Sequence, residues 1–186
     1  MALNGGLRPG QRDALSLLRA EHDMLLGLFR DYEALHISLA RDDGRKAVLA
    51  ARICRELSVH AALEEQAFFP ALQFAAGGAR LLDDALVEHE AQQLLIGQLR
   101  TLYPDDPVFS ATVAVLGEET RHHIAHEQGA LFDCARSCGL DLQLLARALS
   151  ERRAALAHGL AAYGTGAAAS GAFDWTPRVQ DGRRMD

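Results

Sequence analysis

The chain has 186 residues, 49% apolar and 24% charged, the composition of one globular domain with enough apolar side chain for a core. A net charge of −6 offers no basic footprint for nucleic acid, and no run of 18 uncharged apolar residues is present to span a membrane. Three cysteines make no disulfide framework, and Met1–Pro9 lacks the charged and apolar regions of a secretory leader, so the expected location is a reducing cytoplasm.

Helical periodicity dominates, and no alternating Val/Ile/Thr stretch reads as a strand. After an N-terminal arm (1–10), the first predicted helix runs over Gln11–Ser38 with Leu15, Leu18, His22, Leu25, Phe29, Tyr32 and His36 on one stripe. Arg41-Asp42-Asp43-Gly44 breaks it. The second covers Arg45–Phe74 and carries Ile53, Leu57, His60, Glu64, Ala67, Phe68 and Ala71; Pro70 inside it predicts a kink or an early end. Ala76-Gly77-Gly78 separates it from a third helix, Ala79–Tyr103. Asp106-Pro107 then opens a fourth, a cap followed by proline at the first helical position. That helix reaches Ser137 with Val113, Leu116, Thr120, His123, Glu127, Leu131 and Cys134 inward, and Gly139 stops it. A fifth helix, Asp141–Tyr163, precedes a Gly/Ala/Ser-rich tail (164–186) that reads as flexible or surface-docked. Short breaks between helices predict an all-α, up-down four-helix bundle over 11–138, with an additional helix over 139–163 outside the four.

One helical hairpin occurs twice. His60-Ala-Ala-Leu-Glu64-Glu65-Gln-Ala-Phe68-Phe69 aligns without gaps on His123-Ile-Ala-His-Glu127-Gln128-Gly-Ala-Leu131-Phe132, and upstream Glu21-His22-Asp23 matches Glu88-His89-Glu90. Residues equidistant from a turn lie at one height in an antiparallel pair. The midpoint of His22 and His60 is residue 41, and that of His89 and His123 is 106, both inside predicted breaks. The midpoint of Glu64 and His89 falls at 76–77, inside the third. All four helices therefore bring a histidine to one level. Residues i and i+4 are about 40° apart around a helix and about 6 Å along it, so His60 with Glu64, and His123 with Glu127, share a face.

Four imidazoles and two carboxylates among Leu, Ile and Phe are costly without a counter-charge. Cations supply it: carboxylates bridge two ions while each imidazole caps one. The set His22, His60, Glu64, His89, His123 and Glu127 suits two ions, each with two histidines and a share of both glutamates. Mixed nitrogen and oxygen donors with open positions favour iron over structural zinc, with manganese the alternative.

At these residues the sequence resembles the hemerythrin-like, or HHE cation-binding, family, whose pattern is a lone His, a His-x-x-x-Glu, another lone His and a second His-x-x-x-Glu. The stretch from His60 to Pro70, with Phe-Phe-Pro after the acidic pair, is typical of it. The resemblance covers about 11–137 and implies a non-haem di-iron centre on those six ligands, with Glu64 and Glu127 bridging. Oxygen-carrying members have a second histidine four residues after the third-helix histidine, where this chain has Gln93. They also set the fourth-helix acid five residues after its histidine, a spacing His122 offers, so His122 competes with His123; the internal repeat selects His123. The resemblance thus implies the six-ligand version of iron-sensing and stress-linked relatives, with positions left for water, O₂, NO or peroxide.

Other residues read more plainly. Glu33-x-x-His36 and Glu119-x-x-His122 match the Glu-x-x-His of ferritin-like proteins, but His36 lies about 21 Å along the helix from His22 and cannot share its level. His36 reads as a core-edge residue, Tyr32 as core, His158 as surface, and His126 as exposed, with a supporting place beside the ligands as the other reading. Glu65 and Glu90 flank ligands and read as solvated, with a hydrogen bond to a ligand imidazole as the other reading. Cys54, Cys134 and Cys138 read as buried small hydrophobes, with a redox or nitrosation role as the other reading. The functional expectation is a di-iron protein that binds or senses O₂, NO or peroxide, or handles iron under oxidative or nitrosative stress. The alternatives are peroxide or NO turnover, iron-centre repair, or a metal-stabilised module whose fifth helix and tail meet a protein partner or a second copy.

Overall fold

The computed structural model describes residues 13–37, 43–76 and 79–163. Its elements there are α1 (Ala14–Ile37), α2 (Asp43–Leu63), α3 (Phe69–Ala76), α4 (Ala79–Leu99), α5 (Pro107–His126), α6 (Phe132–Ser137) and α7 (Leu142–Tyr163). Five-residue π-helical turns at Glu64–Phe68 and Glu127–Leu131 join α2 to α3 and α5 to α6. The result is four rods, each packed on its neighbours: α1 on α2 and α5, and α4 on α5 and on the α2–α3 rod. This is the expected all-α bundle. Among the described residues no helix is long and apolar enough to cross a membrane. Expectations for the N-terminal arm, for Arg41, Asp42, Gly77 and Gly78, for the His158 side chain and for the tail 164–186 lie outside the described residues.

Local chemistry sets the helix starts. Asp13 Oδ1 accepts the Ser16 N–H at 2.8 Å, Asp106 Oδ1 accepts that of Val108 at 2.8 Å with Pro107 next in line, and Asp141 Oδ1 accepts those of Gln143 and Leu144. Each such cap is worth about 1 kcal/mol. Gly139, at φ 77°, ends the fourth rod in a conformation that a side chain would strain. One expected break is shifted: Asp43 and Gly44 belong to the first turn of α2.

Two buried apolar clusters lie at different heights. One gathers Leu25, Phe29, Tyr32, Ile53, Leu57, Ile96, Phe109 and Leu116; the other gathers Leu18, Leu63, Phe68, Phe69, Leu82, Leu131 and Phe132. On every rod the histidine of interest falls in sequence between a residue of one cluster and a residue of the other. A polar layer therefore separates two dry ones. Helix α7, expected outside the four, buries Leu145, Ala146 and Leu149 in the second cluster and packs against α1, α2 and the first π-turn. The fifth helix thus covers one end of the core beside the polar layer.

The expected kink at Pro70 takes another form. Pro70 is the second residue of α3, directly after the first π-turn, yet Asp133 stands at the matching place after the second. Proline is therefore not the cause. In each turn a hydrogen bond reaches back five residues, from Phe69 N–H to Glu64 O and from Phe132 N–H to Glu127 O. The extra residue brings two consecutive side chains inward, Phe68 with Phe69 and Leu131 with Phe132, all of them buried.

Candidate metal centre

His22 comes from α1, His60 from α2, His89 from α4 and His123 from α5, while Glu64 and Glu127 open the two π-turns. All six are at most 3% exposed. The four Nε2 atoms face inward: those of His22 and His60 are 3.1 Å apart, and those of His89 and His123 are 3.2 Å apart. Glu64 lies between the pairs. Its Oε1 is 2.9 Å from His60 Nε2 and 3.7 Å from His22 Nε2; its Oε2 is 3.1 Å from His89 Nε2 and 3.4 Å from His123 Nε2. Glu127 Oε2 is 2.9 Å from His22 Nε2. Two donor groups result: His22, His60, Glu64 and Glu127, and Glu64, His89 and His123, the donor atoms in each lying within 4.8 Å of one another.

The aromatic pairs inserted by the π-turns brace this arrangement. Phe69 stacks on His89 with centroids 5.5 Å apart, and Phe132 stacks on His22 at 6.0 Å. The two phenylalanines are repeat-equivalent, and each steadies the lone histidine of the other half. Phe68 meets Phe132 edge-on at 6.0 Å, closing the layer from the side of the second cluster.

Left to themselves, these groups are poorly satisfied. Glu64 Oε1 and both Glu127 oxygens are buried without a hydrogen bond, the close nitrogens lying outside hydrogen-bond geometry. Burial and the charge of Glu64 push Glu127 above the usual carboxylate range. Burial acts the same way on Glu64, but the close imidazoles of His60, His123 and His22 outweigh it and hold Glu64 well below that range. Burial opposes charge on His60, yet the nearby Glu64 carboxylate and the bond to Glu21 raise it to about 10; His123 reaches about 9 against the same penalty through Glu64 and Glu88. Buried polar groups ordinarily have partners. A cation amid these atoms would engage the orphaned oxygens and the inward lone pairs together, and cis donors on an ion with bonds of about 2.1 Å stand about 3 Å apart, near the spacings seen.

The model of the hemerythrin HHE cation-binding domain matches residues 13–135, from the head of α1 into α6. The chain belongs to the hemerythrin HHE cation-binding family. Among solved structures, an HHE cation-binding domain-containing protein from Mycobacterium kansasii shares the fold at TM-score 0.70 and 17% identity, over 82% of this chain and 91% of that one. No protein with a curated description matches. The family match makes metal binding a property of this HHE domain, and the polar layer offers two donor groups that could serve it.

In the HHE domain the outer imidazole nitrogens are also engaged, largely by residues that sequence reasoning passed over. His60 Nδ1 is 3.1 Å from Glu21 Oε2, His123 Nδ1 is 2.9 Å from Glu88 Oε2, and His22 Nδ1 is 2.8 Å from the Gln128 amide. His89 Nδ1 is 2.8 Å from Glu65 Oε1, so Glu65 is a hydrogen-bonding partner despite its exposure, while Glu90 is solvated as expected. A carboxylate on Nδ1 fixes the tautomer and leaves the Nε2 lone pair for the centre. The repeat carried the signal: Glu21 and Glu88 precede the two lone histidines, and Glu65 and Gln128 follow the two glutamates.

The remaining histidines separate cleanly. His122 points outward, its side chain 73% exposed, so of the two competitors it is His123 that faces the layer. His126 is half-buried, with Nδ1 3.2 Å from Glu88, rather than fully exposed. Burial would raise Glu88, but its bonds to His123 and His126 bring it down to about 2. His36 is exposed, not at the core edge. Tyr32 is core and bonds Ser110 at 3.1 Å, and Cys54 is buried, burial pushing its thiol up to about 12; Cys134 and Cys138 are half-buried.

Proposed function

We propose that this HHE domain holds two iron ions and binds or senses a small oxidant of the O₂, NO or peroxide class. Glu64 carries the reading: its two carboxylate oxygens face two different histidine pairs, the placement of a bridge between two ions. His22, His60 and Glu127 would complete one ion's protein ligands, and His89 and His123 the other's. A pair of irons, when bound, supplies open coordination positions and readily exchanged electrons. The donor set is nitrogen and carboxylate without thiolate, which suits iron or manganese better than a closed structural zinc site. Three donors in the second group, against four in the first, leave it the more open to a small ligand.

The chain's own residues do the rest. Glu65, Glu88 and Glu21 hold three imidazoles in the tautomer that directs Nε2 inward. Phe68, Phe69, Phe132 and Leu131 exclude water from one side of the layer, and Leu25, Leu57, Ile96 and Leu116 from the other. In that dry setting a small diatomic or peroxide ligand meets few competing hydrogen-bond partners.

Elemental analysis of purified chain, with its near-ultraviolet and visible spectrum before and after NO or peroxide, tests this. About two irons per chain with absorption that changes on ligand addition supports the reading. One zinc per chain, or iron whose spectrum ignores both NO and peroxide, overturns it. Gas evolution from peroxide, compared with a Glu127→Ala variant, then separates turnover from binding.

A further inference from the structure

The family match ends at residue 135, yet α7, beyond it, reaches the centre. Arg153 on α7 donates from Nη1 to Glu21 Oε1 at 2.8 Å, and Glu21 Oε2 is the atom 3.1 Å from His60 Nδ1. The second arm of the same guanidinium, Nη2, reaches Glu56 Oε2 at 3.3 Å, on α2 one turn before His60. One planar fork thus spans α1 and α2, the two helices that carry His22 and His60. Glu21 and Glu56 are largely buried, and the Arg153 side chain is 38% exposed, so the chain of contacts runs from the surface to an inward-facing imidazole.

We propose that Arg153 is a positioning residue of the metal centre. It fixes Glu21 so that Glu21 in turn fixes His60 for the metal, which makes α7 a working part of the site. The inference rests on the reading of His60 as a ligand. Two features favour function over mere docking. The contact falls on the one oxygen of Glu21 that His60 leaves free, and the rigid guanidinium, tied to Glu56 by its other arm, has little freedom to swing away from Glu21. The repeat offers a comparison as well. Glu88, the counterpart of Glu21, bonds His123 and His126, and among the described residues no arginine pairs with it. Arg153 therefore treats the two halves differently, lending positive charge behind His60 alone.

The test uses the full chain loaded anaerobically with Fe(II), in wild type, Arg153→Met, Arg153→Lys, Glu21→Gln, the Glu21→Gln/Arg153→Met double variant, and Leu149→Ala. Leu149→Ala loosens α7 in its apolar contact without touching the ion-pair chain. The readouts are the rate of metal loss to an excess chelator and, on metal-free protein, water exchange of the His60 Nδ1–H followed by nuclear magnetic resonance. Outer partners of ligating histidines typically change metal affinity 10–100-fold. Acting one bond further out, Arg153→Met should speed metal loss about tenfold and the His60 proton exchange with it. Arg153→Lys should recover part of both, and the double variant should be no faster than Glu21→Gln. An Arg153→Met rate within twofold of wild type, effects that multiply in the double variant, or equal acceleration by Leu149→Ala would each overturn the proposal. A wild type that takes up no iron would instead defeat the di-iron reading. The proton-exchange arm would then still show whether Arg153 orders His60 through Glu21.

Discussion

Replacing Glu64 by glutamine tests the bridging geometry most directly. The side chain keeps its volume, so the apolar clusters on either side are undisturbed. What changes is the donor count: the His22 group falls from four donors to three, and the His89 group from three to two. Glu127→Gln is the matched comparison, because it leaves both groups with three. An ion held at a hundredfold excess over its Kd stabilises the folded chain by about 2.7 kcal/mol. For a chain of this size 1 kcal/mol moves the melting temperature by roughly 2–4 °C, so each bound ion is worth roughly 5–11 °C. Wild type should therefore melt roughly 10–20 °C higher with metal than without. Glu64→Gln should keep one ion, at the His22, His60 and Glu127 group, and about half that shift. Metal content and calorimetric melts of the loaded and stripped forms read this directly. If Glu64→Gln retained two ions and the full shift, Glu64 would not join the groups.

Three further outcomes follow from the same geometry. His123→Ala should lose metal, whereas His122→Ala, whose side chain is 73% exposed, should keep the wild-type content; the reverse pattern would exchange their roles. Phe132→Ala removes a fully buried ring that stacks on His22 and meets Phe68, so denaturant unfolding should show a loss of about 3–5 kcal/mol, and a loss below about 1 kcal/mol would contradict the packing described. In the metal-free chain His60 and His123 keep their protons to about pH 10 and about pH 9, whereas ligating imidazoles must be neutral. Loading near pH 8 should therefore release about two protons from these residues, seen as a buffer-dependent heat, with affinity rising as pH increases toward about 10. An affinity indifferent to pH between about 7 and 9 would refute that coupling.

The bundle and the inward set were readable because both rest on i,i+4 geometry. His60 with Glu64, and His123 with Glu127, sit on the apolar stripe of their helices, and equal distances from the breaks place all four histidines at one height. The π-turns left a fainter trace. A bond reaching back five residues does not disturb a stripe until afterwards, where it shows only as two neighbours buried together: Phe68 with Phe69, and Leu131 with Phe132. Glu21 and Glu88 were overlooked for a related reason. A residue adjacent to an inward histidine is turned about 100° from it on the helix, so a single-helix view assigns it to solvent. Only the neighbouring rod shows that this face meets His60 or His123. Arg153, 132 residues from Glu21 in sequence, has no local signature at all. Its role depends on where α7 docks, and that is set by Leu145, Ala146 and Leu149 rather than by any motif.

The repeat is most informative where it fails. The inward six are two copies of His and His-x-x-x-Glu, so symmetry alone would give two like positions. Around them the copies diverge. Glu65 supports His89 with a carboxylate, while its counterpart Gln128 offers His22 an amide, which carries no charge and can turn either its oxygen or its nitrogen toward Nδ1. Glu88 supports His123 among imidazoles, while its counterpart Glu21 supports His60 with the Arg153 guanidinium on its far side. Both differences act in one direction. They leave His89 and His123 with carboxylate partners that meet no arginine among the described residues, and give His22 an amide and His60 a carboxylate paired with arginine. Hydrogen bonding to a carboxylate makes an imidazole a stronger donor, so on the two-ion reading proposed above the group with three donors would have the more strongly donating histidines. The group with weaker imidazole support is also the one that Glu127 approaches.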